Sequence, residues 1–156
     1  MKHYIGVKEI NAKPMKRQAY NDLRGWTLPA MENGDDDGYL VEYVDGGQAN
    51  TPDFKGYVSW SPKDVFERAY KPTDGMTFGS ALEALKRGSK VARKGWNGKG
   101  MWLTYIPAGG EVSEVSFGAT QAFPILPWVG MKTADDKFVP WLASQTDLLS
   151  EDWEIL

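Results

Sequence analysis

The chain has 156 residues, no cysteine and one histidine, His3. The first absence removes disulfides, thiolate metal sites, iron–sulfur clusters and cysteine nucleophiles. The second argues against a histidine-based zinc site or a Ser-His-Asp triad, since the lone imidazole lies next to a terminus. No run approaches the roughly 18 consecutive apolar residues that span a bilayer. Met1 to Lys8 has no apolar signal-peptide core, so a cytoplasmic protein is expected. Phosphate-cradling P-loops, a GxGxxG turn after a strand and a recognisable nucleophile–base pair are also missing, which favours binding over turnover. The acidic run Asp35-Asp36-Asp37 lacks calcium-loop spacing and a closing glutamate, and reads as a solvated loop. No metal and no cofactor are expected. The formal net charge of −3 is the wrong sign for a general nucleic-acid binder.

What is present is 42% hydrophobic and 13% aromatic residues, enough to bury a core in one medium domain or two small ones. The clearest boundary is Tyr70-Lys71-Pro72-Thr73-Asp74-Gly75, punctuated by Pro and Gly. Before it, strands are predicted over Tyr4 to Ile10, Tyr39 to Val44 and Gly56 to Trp60, with a short helix from Pro14 to Leu23. Ser61-Pro62-Lys63-Asp64 has the form of a capping box opening a helix with Val65, Phe66 and Ala69 on its apolar face. After the boundary, Phe78, Ala81, Leu82 and Leu85 repeat at helical spacing over 78–87, with Thr77 as cap and Gly88 at the left-handed end. Strands are predicted over Lys90 to Arg93 and Met101 to Ile106, around a loop from Gly95 to Gly100. Residues 107–123 read as a long connection. Ile125 to Met131 and Phe138 to Trp141 suggest a hairpin. Ser144-Gln145-Thr146-Asp147 is a second capping box, and Trp153 to Leu156 a last strand. The mixture predicts an α+β fold with a small, mostly antiparallel sheet and short helices, preceded by an N-terminal α+β segment.

Five of the seven tryptophans fall between Trp96 and Trp153, and residues 86–99 carry six Lys/Arg and no acid. Flat aromatic faces beside concentrated cations suit a ligand with a ring and a negative charge, as nucleotides have. Trp96-Asn97 sits among Gly95, Gly98 and Gly100. Its indole either stacks a base or folds back over the sheet edge, and Asn97 either pairs with a base or ribose or serves the turn. Arg93 and Lys94 point to opposite faces if both lie on a strand, so one of them either reaches a phosphate or guards a sheet edge. Trp141 is a second aromatic candidate. Ser144, Gln145 and Asp147 lie at a helix start, where free N–H groups attract anions; Asp147 would repel a phosphate and suits capping or ligand hydroxyls. Trp102, Trp128 and Trp153 read as scaffold.

These motifs carry a resemblance. Met76-Thr77-Phe78-Gly79-Ser80-Ala81-Leu82, Val91-Ala92-Arg93-Lys94-Gly95-Trp96-Asn97, Leu126-Pro127-Trp128-Val129-Gly130 and Pro140-Trp141-Leu142-Ala143-Ser144-Gln145-Thr146-Asp147, with Asp152-Trp153, resemble the Thoeris anti-defence 2 family of phage proteins. The likeness covers 76–156. It implies a homotetrameric sponge in the host bacterial cytoplasm. Such a sponge holds cyclic ADP-ribose isomers made by TIR-domain proteins, and in some members cyclic dinucleotides at a separate pocket, without cleaving them. The family's Trp-Asn and Trp…Asp…Asp-Trp motifs match Trp96-Asn97 and Trp141…Asp147…Asp152-Trp153. Together with the residue types read above, this makes Arg93, Lys94, Trp96, Asn97, Trp141, Ser144, Gln145 and Asp147 the expected ligand-binding residues. Residues 1–72 resemble a separate small phage-protein family of unknown function. The competing readings are a protein-interaction or virion-associated module without nucleotide binding, and a phosphodiesterase acting on the same signals.

Overall fold

A computed structural model describes residues 1–109 and 126–156. The expected connection over 107–123 and the start of the strand expected at Ile125 lie largely outside these residues. The chain divides into two compact units, Met1–Lys71 and Pro72–Leu156. Both are built of antiparallel strands with short helices, which makes the protein α+β.

In the first unit, β1 (Ile10–Pro14), β2 (Gly38–Tyr43) and β3 (Tyr57–Pro62) form a sheet in that order. α1 (Arg17–Arg24) and α2 (Lys63–Ala69) complete it. The strand expected over Tyr4 to Ile10 is displaced toward the C-terminus. A strand needs a partner, and β2 supplies one only as far as Tyr43, opposite Ile10. Two residues further, Lys8 still reaches Asp45 at 3.7 Å and lies over the Tyr43 ring. Beyond that, the chain opposite turns away at Gly46 and Gly47, and residues 1–7 are exposed.

The first helix also starts late. Pro14 is the last residue of β1, and the Met15 N–H bonds Gly38 O across the sheet. The capping box expected at Ser61–Asp64 does not form. Ser61 and Pro62 stay in β3 opposite Tyr39 and Gly38, and α2 begins after Pro62 with no side-chain cap. Ladder pairing wins over the local cap. Val65 is 41% exposed, and Ala69 is exposed too. α2 therefore anchors chiefly through Phe66, which stacks on Tyr39 at 4.0 Å.

Tyr20, Leu40 and Val58 are buried at the centre of this unit, with Met15, Leu23, Phe54 and Trp60 against them. Asn50 finishes the outer edge of β3. Its side chain donates to Val58 O and accepts from Val58 N–H, both at 2.8 Å, as a neighbouring strand would.

In the second unit, α3 (Phe78–Lys86) leads into β4 (Val91–Arg93), β5 (Trp102–Ile106), β6 (Trp128–Lys132), β7 (Phe138–Pro140), α4 (Gln145–Leu148) and β8 (Trp153–Ile155). The sheet runs β7-β6-β5-β4-β8. Thr77 caps α3 by accepting from the Ser80 N–H at 3.4 Å, and Gly88 follows its end with φ 93°. Ala81 and Leu85 are fully buried, and Phe78 and Leu82 half-buried, so the expected helical stripe faces inward. It packs on Val91, Leu103 and Trp153. The hairpin between β6 and β7 closes through the Thr133 N–H to Lys137 O.

Register decides which face each tryptophan takes. Leu103 opposes Met131 and faces the core, so its neighbour Trp102, opposite Lys132, lies on the other face. Trp128 shares that second face, and Phe138 lies between the two rings, at 6.3 Å from Trp102 and 5.8 Å from Trp128. Trp102 and Trp128 are therefore half-buried surface aromatics. Trp153 is the core member.

Candidate ligand-binding site

The site forms where β4 ends and β8 begins. Antiparallel pairing sets Arg93 directly opposite Trp153, which brings the turn after β4 against the segment that leaves α4. Arg93 points to the core side of the sheet, the face that Trp153 also occupies. Its side chain is 12% exposed. Nε and Nη2 donate to the two oxygens of Asp152 at 2.8 and 3.3 Å, a forked pair, and Nη1 donates to Asp147 Oδ1 at 2.8 Å. Such charge-assisted forks are among the stronger polar contacts in proteins.

Asp147 reaches this point because of the local sequence at α4. Ser144 Oγ accepts from the Asp147 N–H, and Asp147 Oδ2 accepts from the Ser144 N–H and hydroxyl, at 3.3 and 2.7 Å. The predicted capping box is complete, and it turns the other carboxylate oxygen toward Arg93 and Trp96. Trp96 Nε1 donates to that oxygen at 3.1 Å. Asp152 Oδ2 also accepts the Gly95 N–H at 2.8 Å. A β-carbon on Gly95 would sit 2.7 Å from that oxygen, so any larger residue here would push the carboxylate from its place.

The electrostatics follow from these contacts. The Arg93 guanidinium is held above its ordinary value, first by its bond to Asp152. Burial acts to raise the Asp147 carboxyl, but bonds from Ser144, Arg93 and Trp96 outweigh it and leave the group below the usual carboxylate range. Asp152 is lowered too, chiefly by Arg93 and against a smaller effect of burial.

Aromatic packing completes the arrangement. Trp96 and Trp141 both meet Trp153 edge-on, at 5.4 and 6.0 Å, and Phe78 lies 5.7 Å from Trp141 and 5.4 Å from Trp153. Trp153 Nε1 donates to Asp147 O at 3.1 Å. Trp96 thus folds back onto the domain while remaining half-buried at its rim.

Of the eight residues singled out in the sequence, the structure gathers Arg93, Trp96, Ser144, Asp147 and Trp141 around Trp153. Lys94, Asn97 and Gln145 flank this group and are exposed; Lys94 lies 3.6 Å from Asp74. Asp152 and Phe78 join the site although the sequence did not single them out for it. Asp152 stands 59 residues from Arg93, and only the β4–β8 pairing brings them together. Its one sequence signal was its place beside Trp153 in the motif.

The fold and the cluster define a small antiparallel α+β domain with a tryptophan-rich, charge-paired rim. Residues 76–156 match the family model for the Thoeris anti-defense 2-like domain. The chain belongs to that family. Thoeris anti-defense 2 of Bacillus phage SP01 is 44% identical over 84 residues, covering 52% of this chain and 94% of that protein. Membership gives the chain a phage anti-defence role directed at Thoeris. Among the described residues, no helix is long and apolar enough to cross a membrane.

Proposed function

We propose that the 76–156 domain acts in the host cytoplasm as a sponge, holding a cyclic ADP-ribose-type immune signal without cleaving it. The observation that carries this reading is Trp96: a large ring held at the domain rim, beside exposed Lys94 and Asn97 on the same turn. Stacking of a base on such a ring is worth ~1–3 kcal/mol. Lys94 supplies positive charge for a diphosphate, and Asn97 offers donor and acceptor to a base or ribose. Trp141, Ser144 and Gln145 bound the same rim from the opposite segment. Arg93 and Asp147 stand behind it.

We further propose that the sponge works as an assembly and assign self-association to the second sheet face. Trp102, Phe138 and Trp128 spread over that face, with Lys90 4.2 Å above the Trp102 ring. Aromatic residues of this kind anchor protein interfaces. We propose a homotetramer, with cyclic dinucleotides as a second ligand class.

The test is incubation of the purified chain with a panel of cyclic nucleotides, followed by native mass spectrometry and analysis of the ligand released on heating. Retention and intact recovery of glycocyclic ADP-ribose, on a tetramer, is the expected result. Release of a hydrolysed product would make the protein an enzyme. Retention of no nucleotide would favour a protein-interaction module.

A further inference from the structure

The charges around Arg93 limit what its guanidinium can do for a ligand. Three of its N–H groups go to carboxylates, two to Asp152 and one to Asp147. Two carboxylates on one guanidinium leave an excess of negative charge at this spot. A phosphate brought to Arg93 would meet both acids at contact distance.

Asp147 is equally committed. Oδ1 accepts from Arg93 and Trp96, and Oδ2 from the N–H and hydroxyl of Ser144. A carboxylate offers about four lone-pair directions, so these four contacts fill it and leave none for a ribose hydroxyl. Its side chain is 13% exposed. What the carboxylate does hold is the edge of the Trp96 indole, whose ring in turn rests against Trp153 at 78°.

We infer that Asp147 is a positioning residue that sets the plane of Trp96, with Arg93 as its counter-ion, and that a ligand diphosphate is met instead by Lys94, whose carboxylate neighbour, Asp74 at 3.6 Å, is itself exposed to solvent, unlike the acids on Arg93. The phosphate assignment rests on the function proposed above; the positioning of Trp96 does not.

Nuclear magnetic resonance on the full 15N-labelled chain separates the roles. Trp96→Phe identifies the Trp96 indole N–H signal, and thermal melts establish that each variant is folded. Asp147→Asn moves that signal in the unliganded protein and weakens binding of glycocyclic ADP-ribose by roughly tenfold or more, since charge-assisted bonds are lost. Arg93→Met also moves the signal and weakens binding, but leaves the slope of log Kd against log salt unchanged. Lys94→Ala leaves the signal in place and flattens that slope, because a charge facing the ligand has been removed.

An indole signal unmoved in Asp147→Asn overturns the positioning role. A flattened slope in Arg93→Met, with none in Lys94→Ala, overturns the phosphate assignment. If the Asp147 and Arg93 variants do not fold, acid titration of the unaltered protein replaces them. The Trp96 indole signal then follows protonation of Asp147, and independence of the two refutes the role. Failure of the unaltered chain to bind glycocyclic ADP-ribose removes the proposed function and the Lys94 assignment with it, while the indole readout still decides the role of Asp147.

Discussion

Replacing Trp153 by alanine should remove much of the stability of the second unit while leaving the first unit intact. Trp153 is 0% exposed and is the ring on which Phe78, Trp96 and Trp141 converge. Truncating a buried aromatic to alanine costs about 3–5 kcal/mol in lost transfer energy and residual cavity. Two further losses add to this: the bond from Nε1 to Asp147 O, and the edge-on contacts with its neighbours. A domain of this size has about 5–15 kcal/mol in total, so the loss is a large share. Trp153→Phe keeps most of the ring but drops the donor, and should cost markedly less. Urea denaturation followed by hydrogen exchange and mass spectrometry reads both units in one experiment. Protection should fall at Val91 and Leu103 and hold at Val41 and Val58, which are buried in the other unit. A loss below ~1 kcal/mol for alanine, or equal loss of protection in both units, would refute the reasoning.

Acid should weaken the second unit through its paired carboxylates. The folded-state values of Asp147 and Asp152 lie below the ordinary carboxyl value. Their contribution is thus fully present above about pH 4, the unfolded value, and drains away as pH falls through their folded values. Urea midpoints measured from neutral pH downward should show this decline, and Arg93→Met should blunt it. Asn50→Ala removes both side-chain bonds to Val58 and should cost the first unit about 1–3 kcal/mol, seen as faster hydrogen exchange at Val58. Gly95→Ala places a methyl against Asp152; it should displace the Arg93–Asp152 fork and lower ligand affinity in calorimetry, with little change in the melting of the first unit.

Where local signals and long-range pairing agreed, the sequence was a good guide. The apolar stripe of α3, its Thr77 cap and the Ser144–Asp147 capping box all depend on residues within one or two helical turns, and all are found. The misplaced elements are those in which pairing overrode local preference. Tyr4 to Val7 has strand composition but no partner opposite, and Ser61 is a good cap held instead in a ladder. The site shows the same division. The glycine-flanked Trp96 and the basic run were visible as types, but the partners of Arg93 were not. Asp147 and Asp152 lie 54 and 59 residues away, and no periodicity encodes a meeting at that range. A cationic run with the look of an anion site proves, at Arg93, to be internally neutralised.

The bond between the Trp96 indole N–H and Asp147 has a consequence for selectivity. Once that hydrogen is used inside the protein, the ring has no polar donor left for a visitor. In the proposed sponge, an indole that can only stack would attract purines and pyrimidines alike, without telling one base from another. Discrimination between signals would then fall to groups that still carry exposed donors and acceptors, such as Asn97 and Gln145. On the sponge reading, substituting such a neighbour would change which molecule is kept; substituting Trp96 would change only how long it stays.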